Sequence, residues 1–361
     1  MNRVRTAIVG CGKVGQIHAQ ALASLAESDF VAACDVDLVR AAALAGPYGI
    51  RAFTDVARMI EESHVEALLI GTPHPLHAQP AIQAAEAAVH VLVEKPLAAS
   101  LQDCDAILAA ARQHAIKLGV ISQRRWYEPV LRMKEAIVAG KLGRPVLGAF
   151  TMYSWREPSY YLSDPWRGRW NTEGGGVLVN QSPHMVDLLQ WLMNDEIAEV
   201  SGYWANLNHP SVEVEDSAVA ILRFRKGGLG SIVASLSQKP GIYTKVHIHG
   251  SNGATVGVET DRGATFIAGM SAISEPALND LWTIAGEESD LARFQAEDRA
   301  RFHEIDPINH YHALQIQDFL RAIIEDRPPL VTGDDGRRVV ALFQAIYESN
   351  REGKSIKLPV S

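Results

Sequence analysis

Over residues 1–122, short apolar β-rich runs alternate with helical stretches: "RTAIVG" then 16–26, "FVAACD" then 38–45, "VEALLIG" then 75–88, "VHVLVEK" then 101–114, and finally "IKLGVIS". Strands that are apolar throughout must be covered on both faces, and helices interleaved between them supply that cover only when the strands run parallel. The fold class predicted for this half is therefore α/β, a doubly wound parallel sheet.

Beyond residue 122 the rhythm changes. "RPVLGAFTMYSW", "IAEVSGYWANLN", "DSAVAILRF", "GSIVASLS" and "TKVHIHG" are strand-like, and "RFRKGGLGS" and "HGSNGAT" place glycine where tight turns need positive φ. These runs predict an α+β domain with a large, mainly antiparallel open sheet, closed by helices over 311–325 and 334–352 on either side of "DRPPLVTG". The charged segment "AGEESDLARFQAEDRARFHEID" is expected to be exposed. A chain of 361 residues is long enough for two cores, so the expected domains are 1–122 and 123–361.

A net charge of -8 without a basic run argues against a nucleic-acid or anionic-membrane partner. Nothing approaches the roughly 18 consecutive apolar residues of a membrane span, and the N-terminus enters a strand pattern at once, which predicts a cytosolic protein. Cys11, Cys34 and Cys104 are far apart in or beside apolar runs and are expected to be buried thiols. No histidines stand with carboxylates or cysteines at ligand spacing, so no metal is expected.

The strand "RTAIV" leads directly into Gly10, Cys11, Gly12, Lys13, Val14 and Gly15 and then a helix, the context in which G-x-G-x-x-G signals a dinucleotide. Gly10 makes the turn, Gly12 lets backbone approach a pyrophosphate, Gly15 lets helix and strand pack closely, and Lys13 and Val14 open the phosphate-attracting helix. Asp35 follows Gly15 by 20 residues and closes the second strand, where a carboxylate accepts hydrogen bonds from a ribose and repels a 2′-phosphate. NAD is expected over NADP; the nearest arginine downstream is Arg40.

Ligands of such sheets bind beyond the C-terminal strand ends. There stand Thr72, Pro73 and His77 after "EALLI", and Glu94 and Lys95 after "VHVLV". An ammonium directly after five apolar residues is costly unless it is paired or used. Later, "GGGVLVNQSPHMVDLLQWL" carries Asn180 and His184 into an apolar helix, with Ser182 and Pro183 expected as cap and first position. The three glycines are expected to let backbone approach a ligand, and Asp187 to steady the imidazole or favour the helix N-terminus. "YYLSDPWRGRW" offers Tyr160, Tyr161, Trp166, Arg167 and Trp170, aromatic faces and a guanidinium suited to a sugar ring or the cofactor amide. Arg125, Trp126, His310 and His312 are further candidates for the same cleft.

In their order, the motifs G-x-G-x-x-G, T-P-x-x-x-H, E-K-P and G-G-G followed by H-x-x-D resemble the Gfo/Idh/MocA family of nicotinamide-dependent sugar and polyol oxidoreductases. The likeness runs on through "GKLG" at 140–143, "EDSAVAILRF" at 215–224 and the closing segment from Asp318. It implies that Lys95 sits beside the nicotinamide and the reacting carbon, and that His184 removes the hydroxyl proton while hydride leaves for the cofactor. Thr72, Pro73, His77 and Glu94 would line the nicotinamide half of the cofactor site. Many members have Asp where this chain has Asn180; an amide orients but does not titrate, so Asn180 is expected to bind a substrate hydroxyl.

The expected function is an NAD-dependent dehydrogenase oxidising a secondary hydroxyl of a sugar, glycoside or cyclic polyol such as an inositol. Two other readings stay open: a cis-dihydrodiol dehydrogenase of aromatic breakdown, and a nicotinamide-sensing regulator without catalysis. An open antiparallel sheet also predicts a homodimer or homotetramer.

Overall fold

The computed structural model describes residues 3–261, 265–267, 270–272 and 274–359. It divides into two compact units, Met1–Gln123 with Ile308–Val340, and Arg124–Pro307 with Ala341–Ser361.

In the first unit, β1 (Val4–Val9), α1 (Lys13–Ser24), β2 (Ser28–Cys34), α2 (Leu38–Ala45), β3 (Arg51–Phe53), α3 (Val56–Ser63), β4 (Ala67–Ile70), α4 (Ala78–Glu86), β5 (His90–Val93), α5 (Leu101–Gln113) and β6 (Leu118–Val120) follow in turn. The six strands are parallel in the order β3-β2-β1-β4-β5-β6. The order reverses beside β1, which places a ligand crevice at the ends of β1, β2 and β4. β3, only three residues long, is too short to show a period, and the sequence reading passed over both it and α3. The three cysteines are buried and unbridged.

The second unit contains α6 (Glu128–Val138), β7 (Pro145–Tyr153), α7 (Pro158–Leu162), α8 (Trp170–Glu173), α9 (Pro183–Met193), β8 (Ile197–Ala205), β9 (Ser217–Phe224), β10 (Leu229–Ser235), β11 (Tyr243–Gly250) and β12 (Thr255–Thr260). A small hairpin of β13 (Thr265–Ile267) and β14 (Met270–Ala272), then β15 (Leu278–Trp282) and α10 (Asp290–Glu304), complete its continuous stretch. The predicted exposed charged segment is thus largely a helix, anchored by Phe294 and by an Arg132–Asp298 ion pair at 2.9 Å. α11 (Pro307–Ile324) lies almost wholly in the first unit, α12 (Gly333–Glu352) contributes to both, and β16 (Ile356–Lys357) ends the chain's regular structure.

The large sheet has eight strands in the order β15-β12-β11-β7-β10-β9-β8-β16, antiparallel except for β7 and β10. The glycine turns are as expected, with Gly227 at φ 87° between β9 and β10 and Gly253 at φ 91° between β11 and β12. One face is covered by α9, which comes so close to β7 that a Cβ at Gly148 would stand 2.7 Å from Leu189 Cδ1. On the other face, Leu147, Tyr203, Val219, Ile221 and Leu229 are exposed, with Tyr203 opposite Val219 and Leu147 opposite Leu229 across the ladders.

One expected boundary needs correction. The sequence predicts a single domain over 123–361, yet Ile316, Phe319 and Leu320 of α11 join the core of the first unit with Ile8, Leu69 and Leu92. An apolar helix stripe packs where a sheet face lacks cover, whatever its place in the chain. Phe319→Ala should therefore destabilise the protein by about 3–5 kcal/mol in chemical denaturation, as loss of a large buried aromatic does.

Candidate functional site

The dinucleotide turn is built as its glycines demand. A Cβ at Gly15 would stand 2.2 Å from Gly10 O, and one at Gly10, whose φ is 94°, would stand 2.6 Å from Gly71 C and Thr72 N. Around Gly12 no protein atom comes within 4 Å of such a Cβ, and no side chain caps α1, which begins at Lys13 and Val14. Open backbone at an uncapped helix N-terminus accommodates a phosphate. Asp35 is buried and accepts from the backbone N–H groups of Cys11 at 2.9 Å and Asp37 at 3.0 Å. Arg40, which the sequence leaves at a distance, returns on the first turn of α2 to stand 3.5 Å from Asp35 Oδ1. At the end of β4, Thr72 Oγ1 is a buried hydroxyl with no hydrogen-bond partner among the described residues. Together these residues fit a dinucleotide.

Of the other strand-end residues, Pro73 is exposed at the turn, but His77 does not line a cofactor site. It is completely buried between the turns after β4 and β5, with Nδ1 3.0 Å from Pro96 O and Nε2 3.0 Å from Thr72 O, and a neutral ring donates to one of these two carbonyls. Burial holds it below the ordinary histidine pKa. Glu94 likewise faces inward: Oε1 lies 3.0 Å from His18 Nε2, and Oε2 accepts the backbone N–H of Lys95 at 3.0 Å. Burial alone raises its pKa, but the His18 hydrogen bond and the charges of His18, His312 and Lys95 bring it down to about 2. Lys95, itself only partly buried, thus leaves β5 from a backbone fixed by its neighbour's carboxylate.

His312 is not a residue open to a substrate. It is buried on α11, its Nδ1 2.6 Å from Ile308 O, and with His18 and Glu94 it forms a group whose donor atoms lie within 4.8 Å of one another. Among the described residues this is the one cluster spaced for a cation. Its members already engage one another and the backbone. His18 was missed in the sequence, although its place three residues after Gly15 puts both on one helix face.

In the second unit the glycines serve packing rather than ligand approach. A Cβ at Gly175 would stand 2.1 Å from Tyr347 Oη, and one at Gly176 1.9 Å from Glu215 O. They lead into a wide helical turn, Val177–Gln181, that runs straight into α9. Ser182 consequently has helical backbone and does not cap α9; its hydroxyl donates to Val177 O at 2.8 Å. The turn hangs on Glu215, whose carboxylate accepts from Gly176 N at 2.8 Å, Leu178 N at 3.0 Å and Tyr347 Oη at 2.9 Å. Complete burial outweighs these bonds and lifts Glu215 to about 7. Asn180 and His184 are both partly exposed, the first on this turn and the second in the first turn of α9.

Around them, Tyr160 is buried, its hydroxyl accepting from Arg167 Nη1 at 2.6 Å, Gln181 Nε2 at 2.9 Å and Asn180 Nδ2 at 3.1 Å. The Arg167 guanidinium lies over the Tyr160 and Trp166 rings, 4.5 Å from each centroid, with Nε on Asp164. Tyr160 and Arg167 therefore act inside this network rather than as open recognition surfaces. Arg125 is also not a cleft residue: it is 2% exposed, gripping Asp187 through Nε at 2.8 Å and Nη2 at 2.5 Å under the Trp191 ring. Asp187 thus anchors α9 through Arg125.

Residues 4–122 match the NAD-binding Rossmann fold of the GFO_IDH_MocA oxidoreductase family, and residues 134–358 match its C-terminal alpha/beta domain. The chain belongs to this family. It is similar to a myo-inositol 2-dehydrogenase of Thermotoga maritima, 25% identical over 98% of each chain. It also resembles a 1-carboxy-3-chloro-3,4-dihydroxycyclohexa-1,5-diene dehydrogenase of Comamonas testosteroni, 30% identical over 64% of this chain and 58% of the relative. The WlbA dehydrogenase of Bordetella pertussis, solved with NADH and UDP-GlcNAcA, has 29% identity and a TM-score of 0.82 over the whole of both chains. The protein is an oxidoreductase with an NAD-binding Rossmann domain.

Glu215 yields a pH test. Its folded pKa of about 7 lies above the ordinary 4.5, so its stabilising contribution is present in acid and is lost as pH rises through 7. The stability of wild type relative to Glu215→Gln should fall by about 3 kcal/mol between about pH 4.5 and pH 8 in chemical denaturation; a pH-independent difference refutes the assignment.

Proposed function

We propose that the protein oxidises a secondary hydroxyl of a sugar, glycoside or cyclic polyol to a ketone. The observation that carries this reading is Lys95: it follows β5, the second neighbour of the dinucleotide strand β1, on a backbone fixed by Glu94 and beside a turn that encloses His77. A nicotinamide bound at the dinucleotide turn would supply the acceptor for hydride from the hydroxyl-bearing carbon. His184 takes the hydroxyl proton, leaving the oxygen electron pair to form the carbonyl, and the Lys95 ammonium stabilises negative charge developing on that oxygen. Inositol as the substrate class is supported by the relative from Thermotoga maritima, which matches along almost the entire chain.

A second reading, oxidation of a cyclic cis-diol, is supported by the name of the Comamonas relative. NAD and NADP should be tested against inositols, hexoses, glycosides, anhydrosugars and dihydrodiols, following reduced-nicotinamide absorbance. Turnover of one class, faster with NAD, is expected. Lys95→Ala and His184→Ala should each lose at least about a hundredfold in kcat while retaining NADH binding by fluorescence. Binding of NAD without turnover of any alcohol would favour the regulator reading instead.

The exposed face of β8, β9 and β10 is proposed to pair with a second copy of the chain. A period-2 apolar face lying flat on its own equivalent makes a two-fold contact. Ile221→Glu should lower the mass measured by light scattering to that of a single chain.

A further inference from the structure

Helix α1 carries, one turn after Gly15, an imidazole that the chemistry described so far leaves without a task. His18 is completely buried, and the only hydrogen bond its ring makes among the described residues joins Nε2 to Glu94 Oε1 at 3.0 Å. Glu94 is an anion well below neutrality and a carboxylate can only accept, so Nε2 is the donor. Nδ1 is buried with no partner among the described residues and lies beside the end of β4, where a Cβ at Gly71 would stand 3.8 Å from it. Burying a ring with one nitrogen unsatisfied is unfavourable, so the bond to Glu94 has to offset it. That bond spans the sheet. α1 is locked to β1 where Gly15 closes on Gly10 O, β4 lies next to β1, and Glu94 follows β5 on the far side of β4. His18 therefore bridges the end of β4 and ties the helix that opens the dinucleotide turn to the strand that carries Lys95. Glu94 passes the tie on through Oε2, which accepts the Lys95 N–H at 3.0 Å. His312, engaged with Ile308 O at 2.6 Å, acts on Glu94 through charge rather than a hydrogen bond.

We propose that His18 is a positioning residue for Lys95: by donating to Glu94 it holds the carboxylate against the Lys95 N–H, and so makes the place of the lysine depend on the seat of the dinucleotide helix. The inference rests on the role given to Lys95 above and adds to it the residue through which that role is set. A lysine at a strand end has a flexible stem, and only its backbone can be fixed by the fold. Removing the His18 donor takes away the first of the influences that hold Glu94 down, so burial lifts its carboxyl, with His77, His312 and Lys95 remaining around it. Glu94 then takes up a proton as pH falls through the raised value, and the negative charge beside the lysine is lost on the acid side. In wild type the charge persists there, because Glu94 stays ionised down to about 2.

Variants at position 18 test this in the whole protein, with the alcohol that wild type turns over fastest. His18→Leu has similar bulk and no donor, and should lower kcat about tenfold to a hundredfold while KM and NADH binding by fluorescence stay within a few-fold of wild type. Its kcat relative to wild type should fall further as pH is lowered from about 8 to about 5. His18→Gln, whose terminal amide N–H stands where Nε2 does, should restore kcat to within a few-fold of wild type and abolish that pH dependence. In a Lys95→Ala background His18→Leu should remove no further activity, because a residue acting only through the lysine has nothing left to act on. If His18→Leu does not fold, His18→Asn takes its place, since its amide stops short of Glu94. Equal losses in NADH binding and kcat, a kcat ratio that is flat with pH, or independent losses in the double variant overturn the inference. An impaired Lys95→Ala beside an unimpaired His18→Leu defeats the inference alone. Lys95→Ala with full kcat, or wild type that turns over no alcohol, defeats the role given to Lys95 and this inference with it.

Discussion

A buried carboxylate that accepts main-chain N–H groups is the device on which this structure repeatedly depends. Asp35 holds Cys11 inside the glycine turn, Glu94 holds Lys95 at the end of β5, Glu173 holds Gly168, and Glu215 holds Gly176 and Leu178. A charge removed from water is tolerated only where directed donors surround it, so each of these loops is limited to the geometries that satisfy its acid. The regular elements supply the frame. The acids determine where the chain goes on leaving it.

Two of these acids have contrasting surroundings, and the surroundings decide the charge. Glu94 lies among two histidines and the lysine beside it, and stays an anion far below neutrality. Glu215 meets only neutral donors and rises to about 7. The loop under Lys95 is thus tied by an ion over the whole working range of pH, whereas the one under Asn180 is tied by a group that changes state near neutrality.

Much of this could be read in the residues themselves. The parallel sheet was legible because most of its strands are uniformly apolar, and the dinucleotide turn because G-x-G-x-x-G stood between a strand and a helix. Lys95, Asn180 and His184 drew notice because a polar residue after an apolar run, or ahead of one, is an exception that needs a cause. His77, Arg125 and His312 were misjudged for the same reason: a polar residue in a promising loop looks alike whether it meets a ligand or a carbonyl. Burial separates the two outcomes, and burial is a property of residues far away in sequence. Glu215 and Tyr347 carried no local signal, since neither sits beside the segment on which it acts. The parallel pairing of β7 with β10 was equally hidden, because a strand's direction leaves no mark on its composition.

Helix α11 gives the chain an uncommon order of assembly. The first unit holds β1 near the start of the sequence, but its core includes Phe319 and Leu320. During synthesis, which proceeds from the N-terminus, the six-stranded sheet emerges long before the helix that covers part of it. The long continuous stretch of the other unit, Arg124–Pro307, must be made in between. The nascent first unit therefore carries an uncovered apolar patch until Ile316, Phe319 and Leu320 have been made.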